Sequence, residues 1–284
     1  MRIPTPAQRP EPGETLDLGD RRITVTHTFS LDEERPVTGA QSWRHEKVLS
    51  EEEPSERISA HLFDTPAGKI VARVSITDRK PERVFEEARE LLLEAQSRNA
   101  KIEQPLGVLA GKTNKGNNCV IYLNKYIPGK NLQDLSFRFW SRKKRVALAA
   151  KVIGRIYDNH YRNVRHNHPH FRNVIRTPEG EVELIDNTCM TMDGIDPGED
   201  EADPNGFRAS NINFKLLDLS TFTRNALRPE PFYKSGRKPL LKPAPLLRSE
   251  EELREALKIS GYRLPGMNLG DIMENLHIHH GHRY

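Results

Sequence analysis

The hydrophobic pattern of this chain shifts from mostly strand-like to mostly helical near Pro128-Gly129, and that shift constrains the fold more than any other feature. Ahead of it, apolar and polar residues alternate in short runs, the signature of half-buried strands. Arg22–Ser30 (RITVTHTFS), Arg57–Phe63 and Lys69–Ile76 are predicted strands, the last two joined through the Pro/Gly turn at 64–68. Gln104–Leu109 and Cys119–Tyr126 (CVIYLNKY) are two more. One helix interrupts them. Pro81 can open it, and Val84, Ala88, Leu91, Leu92 and Ala95 share a face to about Asn99. Beyond Gly129 the period lengthens. Leu148, Val152, Ile153, Ile156 and Tyr157 mark a helix over about 141–163, and 249–260 and 268–277 read as helices. Strands and helices segregated in this way predict an α+β protein of two lobes. The expected division is an extended or disordered leader over 1–20, an N-lobe over 21–127 and a C-lobe over 128–284.

Several classes fall away. A membrane span needs about 18 consecutive apolar residues, and no run here approaches that. The N-terminus carries four prolines in its first twenty residues and no apolar signal region. Two cysteines, Cys119 and Cys189, cannot build a disulfide framework or a four-cysteine zinc site, so a cytoplasmic location is expected. A net charge of +4 on 284 residues argues little for nucleic acid. Its distribution says more. Asp193–Asp203 holds six carboxylates and no base, whereas 224–248 holds seven Lys/Arg against one Glu.

The densest chemistry is His166-Asn-His168-Pro-His170-Phe-Arg-Asn173, with Asp186 thirteen residues after Asn173. Asn173-Val-Ile, the turn at Pro178–Gly180 and Val182–Ile185 form a predicted hairpin. Such a hairpin puts Asn173 and Asp186 together at its open end. An amide oxygen and a carboxylate converging there can hold Mg²⁺ with waters and nucleotide phosphates. A zinc reading is also open, because His166, His168 and His170 alternate on an extended chain. His277, His279, His280 and His282 form a second cluster, read as a solvated tail.

On these residues the chain resembles the protein-kinase-like superfamily, including its aminoglycoside/choline kinase and lipopolysaccharide kinase branches. Those families carry a loop H-x-D-x-x-x-x-N followed by a metal-binding Asp on the next strand. His166, His170, Asn173 and Asp186 match by type and spacing, and LIDN (184–187) stands where the families have I-D-F or I-D-W. The segment CVIYLNKYIPGKNL resembles a kinase hinge, which implies adenine pairing by the backbone around Asn124 and Tyr126. The helix 82–98 resembles helix C, with Glu87 as partner of a phosphate-binding cation, and KIVARVSI resembles the strand that bears that cation. The resemblance covers about 22–220. It implies a two-lobed protein-kinase-like fold, with a small β-rich N-lobe carrying one helix and a larger, mainly helical C-lobe. It also implies ATP and Mg²⁺ as cofactors.

Three departures stand out. His168 occupies the catalytic Asp position. A neutral imidazole can accept a proton but brings no negative charge. The strand Lys is missing: Arg73 is the nearest cation, and alternation puts it on the face of Lys69 and Val71, opposite Ile70, Ala72 and Val74. No Gly-rich loop joins the first strands, where Gly39 stands alone. The expectation is ATP/Mg-dependent phosphotransfer to a protein or small-molecule acceptor, with Asn173 and Asp186 on the metal, His168 as base, and Glu87 with Arg73 or Lys69 on the phosphates. The alternatives are a pseudokinase that binds nucleotide or scaffolds without transfer, and AMP transfer. Two further segments have plain readings. Phe137–Arg145 mixes aromatics and bases, read as a helix start whose aromatics join the core. Asp218, in FKLLDLSTF, is read either as the buried Asp that braces the catalytic loop in kinase-like proteins or as a polar residue at a helix start.

Overall fold

A computed structural model describes residues 10–19, 21–31, 42–51, 57–66, 68–186, 190–192, 209–228 and 244–281. The expectations for the first nine residues, Gly39, the acidic stretch 193–203, residues 229–243 of the basic stretch and His282 lie outside the described residues. Two compact units form. The first comprises Met1–Ser97 and Glu103–Tyr126, the second Arg98–Ile102 and Ile127–Tyr284.

The first unit is built on strands β1 (Thr15–Asp17), β2 (Arg22–Ser30), β3 (Arg44–Glu51), β4 (Ile58–Thr65), β5 (Gly68–Thr77), β6 (Pro105–Thr113) and β7 (Asn118–Lys125). They make one antiparallel sheet in the order β1-β2-β6-β7-β5-β4-β3, nearly closed into a barrel. Irregular register in β2–β6, β3–β4 and β6–β7 accounts for the curl, since each bulge bends its strand and raises the local twist. Period-two alternation sends Ile23, Val25, Phe63, Ile70, Ala72, Val74, Leu109, Ile121 and Leu123 to one interior, with Leu16, Leu18 and Trp43. Helix α1 (Pro81–Ser97) covers part of the other face, where Phe85, Ala88 and Leu92 pack on Phe29, Val108, Ala110 and Val120. Strands β6 and β7 are thus buried on both sides, which explains their nearly unbroken apolar runs. Gly111 lets β6 approach β2: a Cβ there would lie 2.4 Å from the Thr24 carbonyl oxygen.

The second unit has strands β8 (Lys130–Asn131), β9 (Val164–Arg165), β10 (Val174–Arg176), β11 (Val182–Leu184) and β12 (Thr191–Met192), and helices α2 (Arg142–Tyr161), α3 (Ala209–Leu227), α4 (Glu250–Ser260) and α5 (Leu269–Gly281). Its core joins Val146, Ile153 and Ile156 of α2 to Leu219 and Phe222 of α3, Leu253 and Leu257 of α4, and Ile272 and Leu276 of α5. Ser141 caps α2 and Ser249 caps α4, each accepting a backbone N–H three residues on. Arg145 and Glu252 are both buried and pair at 2.6 Å. The guanidinium also donates to the carbonyls of Leu246 and Trp140, so few of its donors go unmet. Gly129 takes φ +154°, and a Cβ there would lie 2.5 Å from the Arg176 carbonyl oxygen. The break at this residue is therefore a close approach as well as a turn.

The expected two-lobed, kinase-like arrangement of a small N-lobe and a larger, mainly helical C-lobe is overturned. Among the described residues, with 32% strand and 37% helix, the seven-stranded, nearly closed antiparallel sheet dominates, and strands recur through the second unit. Two strands escape the sequence pattern for physical reasons. The three residues of β1 are too few to show a period, yet Leu16 is buried and the strand pairs with β2. The edge strand β3 (RHEKVLSE) is charged, as an unpaired sheet edge requires, and so resembles a loop.

Candidate functional site

The second unit presents the His166 loop between β9 and β10. The hairpin β10–β11 pairs Val174 with Leu184, and the Ile185 N–H donates to the Asn173 carbonyl at 2.9 Å. Asn173 and Asp186 consequently flank the open end of the hairpin. Asn173 is buried, and its side-chain amide N–H donates to the His168 carbonyl at 3.0 Å. That bond orients the amide and leaves its oxygen as the face able to meet a cation. Asp186 is half-buried at φ +77°, a left-handed conformation that costs a non-glycine residue about 1–2 kcal/mol. Strain of this kind gathers where the backbone must aim a particular side chain. One carboxylate and one amide oxygen suit Mg²⁺, which keeps several waters and takes its remaining ligands from phosphates.

A buried polar chain holds the loop from behind. Asp218, on α3, is 2% exposed and accepts the His166 backbone N–H at 2.8 Å. The same oxygen accepts from His160 Nε2 at 3.2 Å, and His160 Nδ1 lies 3.0 Å from the Tyr262 hydroxyl. Burial, reinforced by the Asp218 carboxylate, pushes the Tyr262 phenol well above its ordinary range. Tyr262 therefore keeps its hydroxyl proton, and the His160 ring joins that hydroxyl to the Asp218 carboxylate, which accepts from Nε2. The His166 ring is itself buried and donates from Nε2 to the Ile185 carbonyl at 2.7 Å, tying the loop to the segment between β11 and Asp186. Of the two readings of Asp218, bracing the loop is the one realised.

The three loop histidines do not converge. His168 is exposed and its ring stacks edge-on to His170 at 5.4 Å, while the His166 ring faces Ile185. No group of three or more His, Cys, Asp or Glu able to hold a metal occurs among the described residues, so nothing there supports the zinc reading. Burial holds His170 down to about 4, aided by the nearby Arg172 and His168. His170 is thus neutral at physiological pH, and its carbonyl accepts the Asn173 N–H at 2.8 Å.

The residues expected to bind phosphates and adenine lie in the first unit, already engaged. Arg73 stands on the predicted face with Val71 and pairs with the buried Glu103 at 3.3 Å. Glu87 lies instead with Arg79 and Arg83, both exposed, and Lys69 with Glu46. Asn124 is fully buried within β7. The Lys125 N–H donates to Gln104 and the Tyr126 N–H to Lys69, so these backbone donors serve the sheet. Cys119 is buried inside the sheet, which pushes its thiol up to about 12. His277, His279 and His280 fall on α5.

Sequence reasoning missed His160 and Tyr262. No local signal marks them, because they meet Asp218 only after α2, α3 and α4 have packed. Among the described residues no helix is long and apolar enough to cross a membrane. No protein-family model matches the chain, and no curated protein matches it.

Proposed function

We propose that the second unit binds Mg²⁺ and the phosphates of ATP at Asn173 and Asp186, and that the His166 loop, of protein-kinase-like type, transfers a phosphoryl group to a protein or small-molecule hydroxyl. The observation that carries this reading is the placement of Asn173 and Asp186 at one hairpin end, with Asp218 bracing the intervening loop. Mg²⁺, when bound, would neutralise phosphate charge. His168 is exposed, and its backbone is tied to Asn173 and His170. Its imidazole takes the proton as the acceptor oxygen bonds to the γ-phosphorus, and the bond from that phosphorus to the bridging oxygen breaks to release ADP. Cysteine content favours a cytoplasmic setting.

The test is a thermal-shift titration with ATP and Mg²⁺, followed by turnover. Binding raises the melting temperature by mass action. Asp186→Ala is expected to abolish the shift, and His168→Ala to keep it while slowing transfer about 10²-fold or more. An Asp186→Ala protein that still binds and turns over ATP refutes the reading.

A second reading, nucleotide binding without transfer, is supported by the ion pairs that occupy Arg73, Lys69 and Glu87. A Mg²⁺-dependent thermal shift with no mass gain on any acceptor would favour it. A mass gain equal to AMP would point to nucleotidyl transfer.

A further inference from the structure

Phe139 is 88% exposed, the most exposed large hydrophobic side chain among the described residues. The expectation that this aromatic joins the core fails here, although it holds for Phe137, which is 1% exposed. The exposure is built rather than incidental. Phe137 packs edge-on against Trp140 at 5.3 Å, which anchors the turn to the core. Arg145, itself buried, donates to the Trp140 carbonyl at 2.7 Å, and Arg248 donates to the Arg138 carbonyl at 2.9 Å. Backbone on both sides of Phe139 is therefore held, and the ring projects from a fixed base.

Cations surround that base. Arg138, Arg142, Lys143, Lys144 and Arg248 are all exposed, and the first turn of α2 contains no acid. Arg142 is partly neutralised by Glu255 at 2.5 Å. For Arg138, Lys143, Lys144 and Arg248, no side-chain ion pair is found among the described residues. An apolar plug ringed by positive charge is complementary to a surface that is anionic outside and apolar just beneath. A single nucleic-acid strand would need successive rings to stack on. No run of bare rings is offered: the Phe139 ring carries Arg138 at 5.7 Å, and the Trp140 ring carries Lys144 at 4.1 Å and Arg176 at 5.8 Å.

We propose that this face of the second unit docks on a bilayer surface rich in anionic lipid. Phe139 enters the boundary between headgroups and acyl chains, and Arg138, Lys143 and Lys144 rest against the headgroups. The interaction is peripheral and needs no spanning segment. It stands independently of phosphotransfer, since none of these residues belongs to the Asn173–Asp186 site.

The test is co-sedimentation of the full chain with phosphatidylcholine vesicles, with and without phosphatidylserine. Binding is expected only with phosphatidylserine and should weaken as salt rises. Phe139→Ser should lower the partition coefficient about tenfold, the value of one buried aromatic side chain. Lys143→Gln and Lys144→Gln should each lower it about fivefold. Because these side chains are exposed, melting temperature and the ATP-dependent thermal shift should stay unchanged, which separates this idea from the phosphotransfer reading. No binding to phosphatidylserine vesicles, equal binding to neutral ones, or undiminished binding by Phe139→Ser overturns the proposal. So does Phe139-dependent binding of a single-stranded oligonucleotide in place of vesicles.

Discussion

The two units bury polar groups to different ends. In the first, the buried Glu103 pairs with the partly exposed Arg73 and so commits a candidate functional cation to holding β5 to the segment before β6. In the second, buried Asp218 links His160, Tyr262 and the backbone of His166, and so fixes a loop whose far side carries the exposed His168. A cation paired with a buried carboxylate of a neighbouring segment holds the two segments together and has little left to offer a ligand. A buried charge that grips a loop backbone leaves the loop's side chains available. The contrast is what places the candidate chemistry in the second unit.

Removing the anchors tests the contrast most strongly. Asp218→Ala should destabilise the chain by about 3–5 kcal/mol, because it strands both a buried backbone N–H and His160. It should also abolish the ATP-dependent shift. Chemical denaturation and a thermal-shift titration of the same protein would show whether stability and binding fall together. Glu103→Ala should cost about 2–3 kcal/mol, less because Arg73 keeps some access to water. It should leave ATP binding intact in protein that remains folded. Loss of binding in this variant, with stability retained, would return Arg73 to the site and erase the distinction.

A smaller effect is expected from pH. The unfolded chain takes up a proton at His170 near its ordinary 6.5, whereas the folded chain resists until about 4. Folding stability from this group is therefore complete above 6.5, is lost as pH falls from 6.5 to 4, and changes no further below that. After allowance for partial exposure the loss is about 1–2 kcal/mol. Denaturation midpoints measured across this range should lose that slope in His170→Asn. Tyr262→Phe removes one buried hydrogen bond and should cost about 1 kcal/mol, with a modest rise in the ATP concentration needed for half-maximal shift. Lys69→Ala removes only an exposed ion pair with Glu46, and no change in either assay is expected.

Much of the local structure could be read from the chain before folding. Alternation at Arg22–Ser30 and Lys69–Ile76 is reproduced in β2 and β5, and the apolar face of 82–98 packs as α1. The turn at Pro178–Gly180 between two short apolar runs predicts a hairpin ending at Asn173 and Asp186, and that hairpin forms. The global arrangement was less legible. The resemblance carried by the His166 loop suggested a small N-lobe beside a mainly helical C-lobe. Closure of the sheet depends instead on edge strands β1 and β3, whose sequences show either too few residues or too many charges to betray a strand.

Neighbours along the chain set the period of each element, the turn at Pro178–Gly180, and the hairpin end that carries Asn173 and Asp186. Tertiary structure alone decided which groups each polar side chain would meet. Asp218 reaches His166 across 52 residues, Arg145 reaches Glu252 across 107, and Arg73 is claimed by Glu103 rather than left for a phosphate. The physical reason is that periodicity records which way a side chain points from its own element. Hydrogen bonds and ion pairs form between elements, and their partners exist only once packing has brought distant segments together.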